Sequence, residues 1–235
     1  MRFMVMHKVD ASMEAGGPPS QEIIQNMGDY VQKGIRSGVF KDGAGLHRSA
    51  LRTRLVFHGG QRTVTAGPYP GGNELLASFA MIKATSMDHA IEIATRIAGV
   101  LGDVEIEIGP VVEPWDLGLI AKPPHAPQRF LLLRKADRAY EAGVAERPAL
   151  AQILAELDRE GVVLSTATLL PSSSGARYRK TAGKRDWTDG PFTESKELVA
   201  GFSIIDVPSL ADARAWAEAY ADILGDNEVD VRRLA

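Results

Sequence analysis

The feature that most limits what this chain can fold into is an internal duplication. The stretch from Trp187 to Phe202 has a worn copy from Val64 to Phe79, with Gly67-Pro68 answering Gly190-Pro191 and Phe79 answering Phe202 at one offset of 123 positions. Nearer the start of each copy the offset is 127: Arg2-Phe3 matches Arg129-Phe130, Lys8 matches Lys135, and Glu14-Ala15-Gly16 matches Glu141-Ala142-Gly143. A four-residue deletion before or within the first helix accounts for the change, and from Gly38 and Gly161 onward the copies run without a gap. Arg54 then matches Arg177, Arg62 Arg185, Ser86 Ser209, Gly102 Gly225 and Glu105 Glu228. The repeats span 1–112 and 129–235, separated by a connector over 113–128 that holds Pro114, Pro123, Pro124 and Pro127 and has the composition of an extended linker.

Within each repeat the hydrophobic periods give the elements. Arg2 to Lys8 reads as a strand, and after Gly16-Gly17-Pro18-Pro19 the residue Ser20 is an N-cap for a helix with Ile23, Ile24, Met27, Val31 and Ile35 on one face, ended by Gly38. Val39–Leu46 and Leu51–Phe57 follow as strands, with a Gly-bearing turn at His58-Gly59-Gly60-Gln61 leading into Arg62–Thr65. Leu76–Lys83 is a further strand, Ser86 caps a second helix that Gly102 stops, and Val104–Ile108 alternates with period two as a half-buried strand. The order strand, helix, strands, helix, strand is that of the ferredoxin-like split βαβ fold with an added hairpin. The expected class is therefore α+β: two tandem ferredoxin-like units (βαββαβ), each repeat forming its own sheet. The apolar face that the helices leave bare (Phe79, Met81, Phe202, Ile204) is expected to pack sheet to sheet as an intrachain dimeric α/β barrel.

Composition narrows the partners. With 27 Lys and Arg against 30 Asp and Glu, a net charge of −3 gives no general pull toward nucleic acid or anionic lipid, so neither partner is expected. Cysteine is absent, which removes disulfide and thiolate chemistry and fits a reducing compartment. No run reaches the roughly 20 apolar residues of a membrane span, and the N-terminal segment is too soon charged for a signal peptide, so a cytoplasmic location is expected.

The motif Asp189-Gly190-Pro191-Phe192 followed by Glu194-Ser195-Lys196-Glu197, with Gly45-Leu46-His47 after the first helix, resembles the YCII-related (DGPF-domain) family over both repeats. The resemblance implies a dimeric α/β barrel of ferredoxin-like units, here fused in one chain. It also implies, for small members, a His and Asp pair in a cleft, and for DGPF members a link with extracytoplasmic-function sigma factors. The family's His, in an Arg-Pro-Ala-His context, falls in this chain on Arg147-Pro148-Ala149-Leu150, where leucine has replaced it.

Several residues are candidates for chemistry. His47, in a polar loop after a strand, is the acid/base candidate because imidazole titrates near neutrality, and its counterpart is Leu170. Asp189 is the second catalytic candidate, although Asp before Gly-Pro is also an ordinary turn residue; Ala66 stands at its place in the first repeat. Candidate ligand-binding residues are His7 and Arg134, basic groups beside Lys8 and Lys135 at equivalent strand ends that could hold a carboxylate, together with Glu74, its counterpart Glu197, and Lys196. His58 and His89 sit in a turn and at a helix start and His125 in the connector, with no metal-ligand spacing, so neither a metal nor another cofactor is expected. Gly43-Ala44-Gly45-Leu46 and Gly71-Gly72 lack the context of phosphate-binding loops, and Ser172-Ser173-Ser174-Gly175 is no nucleophile elbow. Gly67 and Gly190, each before proline, are expected to adopt backbone angles that a Cβ would strain. Two functions stay open: a small-molecule-binding or accessory protein, placed by the family resemblance in a sigma-factor-linked pathway, and an enzyme using His/carboxylate acid-base catalysis in a cleft between the repeats. A homo-oligomer is compatible with either.

Overall fold

The computed structural model describes residues 1–143 and 148–235. The first repeat contributes β1 (Arg2–Lys8), α1 (Ala11–Ala15), α2 (Gln21–Arg36), β2 (Phe40–Gly45), β3 (Thr53–His58), β4 (Gln61–Ala66), β5 (Leu76–Ala84), α3 (Met87–Leu101) and β6 (Val104–Pro110). The second contributes β7 (Gln128–Lys135), α4 (Arg138–Glu141), α5 (Pro148–Arg159), β8 (Val163–Thr168), β9 (Ala176–Thr181), β10 (Lys184–Asp189), β11 (Val199–Asp206), α6 (Leu210–Leu224) and β12 (Asn227–Arg233). The expected caps are made: the hydroxyls of Ser20, Ser86 and Ser209 accept from the amides of Ile23, His89 and Asp212, satisfying helix-end donors that would otherwise lack partners.

The strands form two six-stranded antiparallel sheets, in the orders β10-β9-β12-β1-β11-β2 and β4-β3-β6-β7-β5-β8, and neither closes on itself. The pairing departs from the expectation that each repeat builds its own sheet. β1 of the first repeat lies between β11 and β12 of the second, with Met4 opposite Ile204 on one side and Arg232 on the other. β7 of the second repeat lies between β5 and β6 of the first, with Leu132 opposite Ala80 and Ile108. The compact units are accordingly 1–45 with 169–235, and 46–168. We call them the N/C unit and the central unit. Each keeps the ferredoxin-like strand order, β12-β1-β11-β2 or β6-β7-β5-β8, extended by one hairpin; in the central unit the chain runs through it in permuted order. The exchange is possible because the two copies present the same ladder edges, so a strand from either repeat completes the same sheet.

Each unit has its own core. In the central unit Ile82, Leu132, Ile106 and Ile108 pack with Ile93, Ala94 and Ile97 of α3 and with Leu150, Ile153 and Leu157 of α5. Leu150, where the resemblance to the family implies a histidine, is thus a core residue, while Arg147 lies outside the described residues. In the N/C unit Phe3, Val5, Ile205, Val229 and Val231 pack with Ala213, Ala217, Tyr220 and Ala221 of α6. Tyr30 of α2 and Trp216 add an aromatic contact with ring centroids 4.4 Å apart.

Gly67 and Gly190 are required for a different reason from the one expected. Neither lies in the left-handed region. Instead a Cβ at Gly67 would sit 1.8 Å from the Ser49 carbonyl oxygen, and one at Gly190 would sit 1.8 Å from that of Ser172. The backbone of the loop is pressed against a neighbouring turn, which is why the dipeptide survives in both repeats. We expect Gly190→Ala to lower stability by about 1–3 kcal/mol, the usual cost of forcing extra volume into packed structure. Urea denaturation measures this, and an unchanged midpoint would show that the turn has room to move.

Candidate functional site

The densest chemistry in the central unit is a buried ionic network at the ends of β3, β6 and β7. Glu107, fully buried on β6, accepts from Arg52 at 2.9 Å and Lys135 at 3.2 Å, and Arg54 lies 3.4 Å from it. Glu74, also fully buried, pairs with Lys135 and, at 2.8 Å, with Arg54, and its carboxylate further accepts from the Gly72 amide at 2.7 Å. Arg54 also reaches Glu105 at 3.2 Å and stacks over the Tyr69 ring at 4.4 Å. Burial pushes the Glu107 carboxyl up, but Lys135, Arg52 and Arg54 more than reverse it and hold the group at about 2. Glu74 is held below its ordinary value for the same reason, with burial opposed chiefly by Lys135 and the Gly72 amide. Glu105 goes the other way: burial raises it, and Arg54 and Lys135 do not offset the rise.

The N/C unit carries a matching network. Lys8 lies 2.9 Å from Asp230 and donates to Ser195 Oγ at 2.8 Å, and Arg177 binds Asp230 through Nε at 2.6 Å and a second nitrogen at 3.1 Å. Arg177 stacks over Phe192 at 4.4 Å as Arg54 does over Tyr69. Asp230 is held at about 2, burial again being overcome by Lys8 and Arg177. One exchange between the units is reciprocal. Arg52 extends toward Gly109 and donates to the His47 carbonyl at 2.6 Å; in the other unit glycine and arginine trade places, and Arg232 extends over Gly175 and donates to the Leu170 carbonyl at 2.7 Å. A cationic side chain rising from either of two neighbouring strands fills the same space.

The sequence candidates fall unevenly on this frame. Lys8 and Lys135, read as a pair of anion holders, spend their charge on buried carboxylates instead. His7 is buried and shares a 2.6 Å hydrogen bond with Tyr220, so it belongs to the aromatic core. Glu74 is central to the network, but its counterpart Glu197 is exposed, and Ser195 meets Lys8 in its stead. Lys196 is exposed and 3.3 Å from Glu194. Asp189 is exposed, at the end of β10, and pairs with Arg214. His47 is in the central unit, half-buried, with Nε2 3.2 Å from Asp116 Oδ2; the same oxygen accepts from the Glu113 amide at 2.9 Å. His47 and Asp189 thus belong to different units, each with its own partner. Asp116, in the connector, is a partner that sequence spacing gave no reason to choose.

Arg134 lies on β7, donates through Nε to Ser78 at 2.9 Å and stacks over the Tyr140 ring at 5.1 Å, while the Tyr140 hydroxyl donates to the Ala77 carbonyl at 2.9 Å. It borders an open cleft of about 860 Å³ in the central unit, whose lining includes Val56, Asn73, Glu105, Arg134, Asp137 and Tyr140. That is within the size of small-molecule sites. Behind Arg134 a void of about 20 Å³ is bounded by Ser78, Ile97, Leu132 and Thr166. In the N/C unit the residues matching Arg134, Ser78 and Ile97 are His7, Gly201 and Tyr220, and the Tyr220–His7 bond occupies that position. A Cβ on Gly201 would meet the His7 ring at 2.6 Å. The strand end is also tied down there, since Asn227 exchanges two 3.2 Å hydrogen bonds with the Lys8 backbone, where the central unit has Val104. The two units are therefore chemically unequal.

The family model described as "YCII-related domain" matches residues 1–110 and 129–227. An uncharacterized protein, R00369, of Rhizobium meliloti (strain 1021) is 43% identical over 51 residues, which is 22% of this chain and 41% of that protein. This chain thus covers less than half the length of that relative. No solved structure matches. Among the described residues no helix is long and apolar enough to cross a membrane.

Two outcomes follow from the networks. Removing one member strands buried charge, so Glu107→Gln should cost about 3–5 kcal/mol in chemical denaturation. A loss below about 1 kcal/mol would mean that the three cations find other partners. For pH, the folded values of Glu107 and Asp230 lie at about 2, below the ordinary 4.5 and 3.8, so the unfolded chain takes up protons first as pH falls. Their stabilisation is complete above about pH 4.5 and is lost progressively toward pH 2. Scanning calorimetry should show the melting temperature falling through that window; a flat profile from pH 5 to about 3 would contradict it.

Proposed function

From the premise that this chain belongs to the YCII-related domain family, we propose that it is a small-molecule-binding protein whose ligand occupies the cleft of the central unit. The observation that carries this reading is the cleft itself, about 860 Å³, with Asn73, Glu105, Arg134 and Tyr140 at its wall. Arg134 is held from two sides, by Ser78 and by the Tyr140 ring, so little side-chain entropy remains to be lost when a ligand touches it. The buried network behind it keeps Lys135 and Arg54 fixed. An accessory place in a sigma-factor-linked pathway, with ligand occupancy as its signal, rests on the family resemblance alone.

A second reading, acid-base catalysis, draws on His47 and Asp116. A carboxylate that is itself oriented by a backbone amide can fix the tautomer and orientation of an imidazole. Asp189, paired with Arg214 in the N/C unit, is not part of this arrangement.

A thermal-shift screen against metabolite classes tests the binding reading. A ligand at about 100 times its Kd adds about 2.7 kcal/mol to the native state. Such a shift should vanish in Ala139→Trp, which puts an indole into the cleft wall. If no compound shifts the wild type, or if hits act equally on Ala139→Trp, the cleft is not the site. Turnover of a hit that His47→Ala abolishes, with its binding unchanged, would favour the enzyme instead.

A further inference from the structure

The two units give the same carboxylate two different settings. Glu228 on β12 is opposite Arg179 on β9, and Glu105 on β6 is opposite Val56 on β3. In the N/C unit Glu228 binds two guanidinium groups: Arg177 Nε at 3.2 Å from Oε1, and Arg179 at 2.5 Å from Oε2. In the central unit the first of these is reproduced, Arg54 Nε lying 3.2 Å from Glu105 Oε1. The second has no equivalent, because Val56 stands where Arg179 would be, and among the described residues Arg54 is the ion-pair partner of Glu105. The side chain of Glu105 is 34% exposed against 14% for Glu228. Val56, Phe57 and Glu105 all line the cleft.

We propose that the cleft recognises an organic cation, a guanidinium or primary ammonium carried on a short apolar chain, which seats on Glu105 Oε2 where the Arg179 guanidinium sits on Glu228. This rests on the binding reading above and names the class of its ligand. The geometry is supplied by the molecule's own second copy. A planar cation approaching along β3 meets a carboxylate whose other oxygen is already fixed by Arg54, so a two-cation arrangement forms around one carboxylate as it does in the N/C unit. The body of the ligand then lies against the apolar side chain of Val56, which is opposite Glu105 on the same face of the sheet, where the N/C unit has the charged Arg179. Of the charged groups in the lining, Asp103 lies beside His58, Lys135 is neutralised by Glu74 and Glu107, and Arg134, opposite Ile106, projects from the other face of the sheet from Glu105. That leaves Glu105 and Asp137 to favour positive charge at the mouth of the cleft. The upward shift of Glu105 agrees, since a second cation is what would bring it down.

The test uses agmatine as the cationic probe and butyrate as a control of opposite charge, with binding followed by NMR titration of the full chain. Agmatine should saturate a single site that perturbs the amides of β3 and β6. Its affinity should fall at least tenfold in Glu105→Gln and should be lost in Val56→Arg, which supplies the second guanidinium from the chain itself. Folding of both variants is checked by the dispersion of their spectra, and the glutamine variant suffices should the arginine variant fail to fold. Absence of saturable agmatine binding, affinity retained in Glu105→Gln or in a folded Val56→Arg, or butyrate binding in preference to agmatine would each overturn the proposal. Failure here is distinct from failure of the binding reading. If library hits that Ala139→Trp blocks turn out to be neutral or anionic, the cleft stands as the site and the cation assignment falls.

Discussion

Everything else in the molecule depends on two strands being supplied from the other repeat. β1 is hydrogen-bonded on both edges to strands that begin about 200 residues later, and β7 is bonded on both edges to strands of the first repeat. Each is an interior strand of its sheet, paired on both edges, so its loss would break the sheet into separate ladders. The chain consequently has high contact order: neither end of the N/C unit has a complete hydrogen-bonding partner until the other end is in place, and loop closure precedes any gain from pairing. The buried lysines at the ends of these strands, Lys8 and Lys135, repeat the theme. Each meets carboxylates of the opposite repeat, Asp230 in one case and Glu74 with Glu107 in the other. A strand paired out of register by one residue would turn its lysine to the wrong face and leave those carboxylates buried without a counter-charge.

Much of the secondary structure was legible in the sequence because it is written locally. Ser20, Ser86 and Ser209 announce helix starts by capping, Gly102 and Gly225 announce stops, and Val104–Ile108 shows its alternation directly. The exchange of strands was not legible. Pairing within a repeat and pairing between repeats use the same residues on the same faces, so hydrophobic pattern cannot separate them. The site was read less well for a related reason. His7 and Arg134 occupy equivalent positions, yet Tyr220 engages one and Ser78 with Tyr140 engages the other, and those partners come from strands and helices distant in sequence. Glu74 and Glu197 align in sequence, but the loop before β11 delivers Ser195 to the lysine and leaves Glu197 in solvent.

The comparison of the two units separates what the fold needs from what it merely permits. A lysine, an arginine over an aromatic ring, and a buried carboxylate recur in both, and so does the glycine pressed on a turn carbonyl; these hold the strand ends together. Arg52 with Gly109 against Gly175 with Arg232 shows that a requirement can be met from either of two strands. Differences gather around the cleft, with Val56 for Arg179, Phe57 for Lys180 and Arg134 for His7. In one unit these positions are filled by the chain's own side chains, and in the other they border open space.

The crossed strands also bear on how such a chain could have changed since its duplication. Two copies joined as independent domains are at liberty to diverge, because a substitution in one is felt by its own copy alone. Here a lysine in one half of the gene is answerable to carboxylates encoded in the other, and a shift in the face of β7 must be matched by β5 and β6. The halves are bound as the two subunits of an obligate heterodimer would be, with heritable compatibility required at every ladder, and grafting one half from a relative would bring in strands fitted to a different mate.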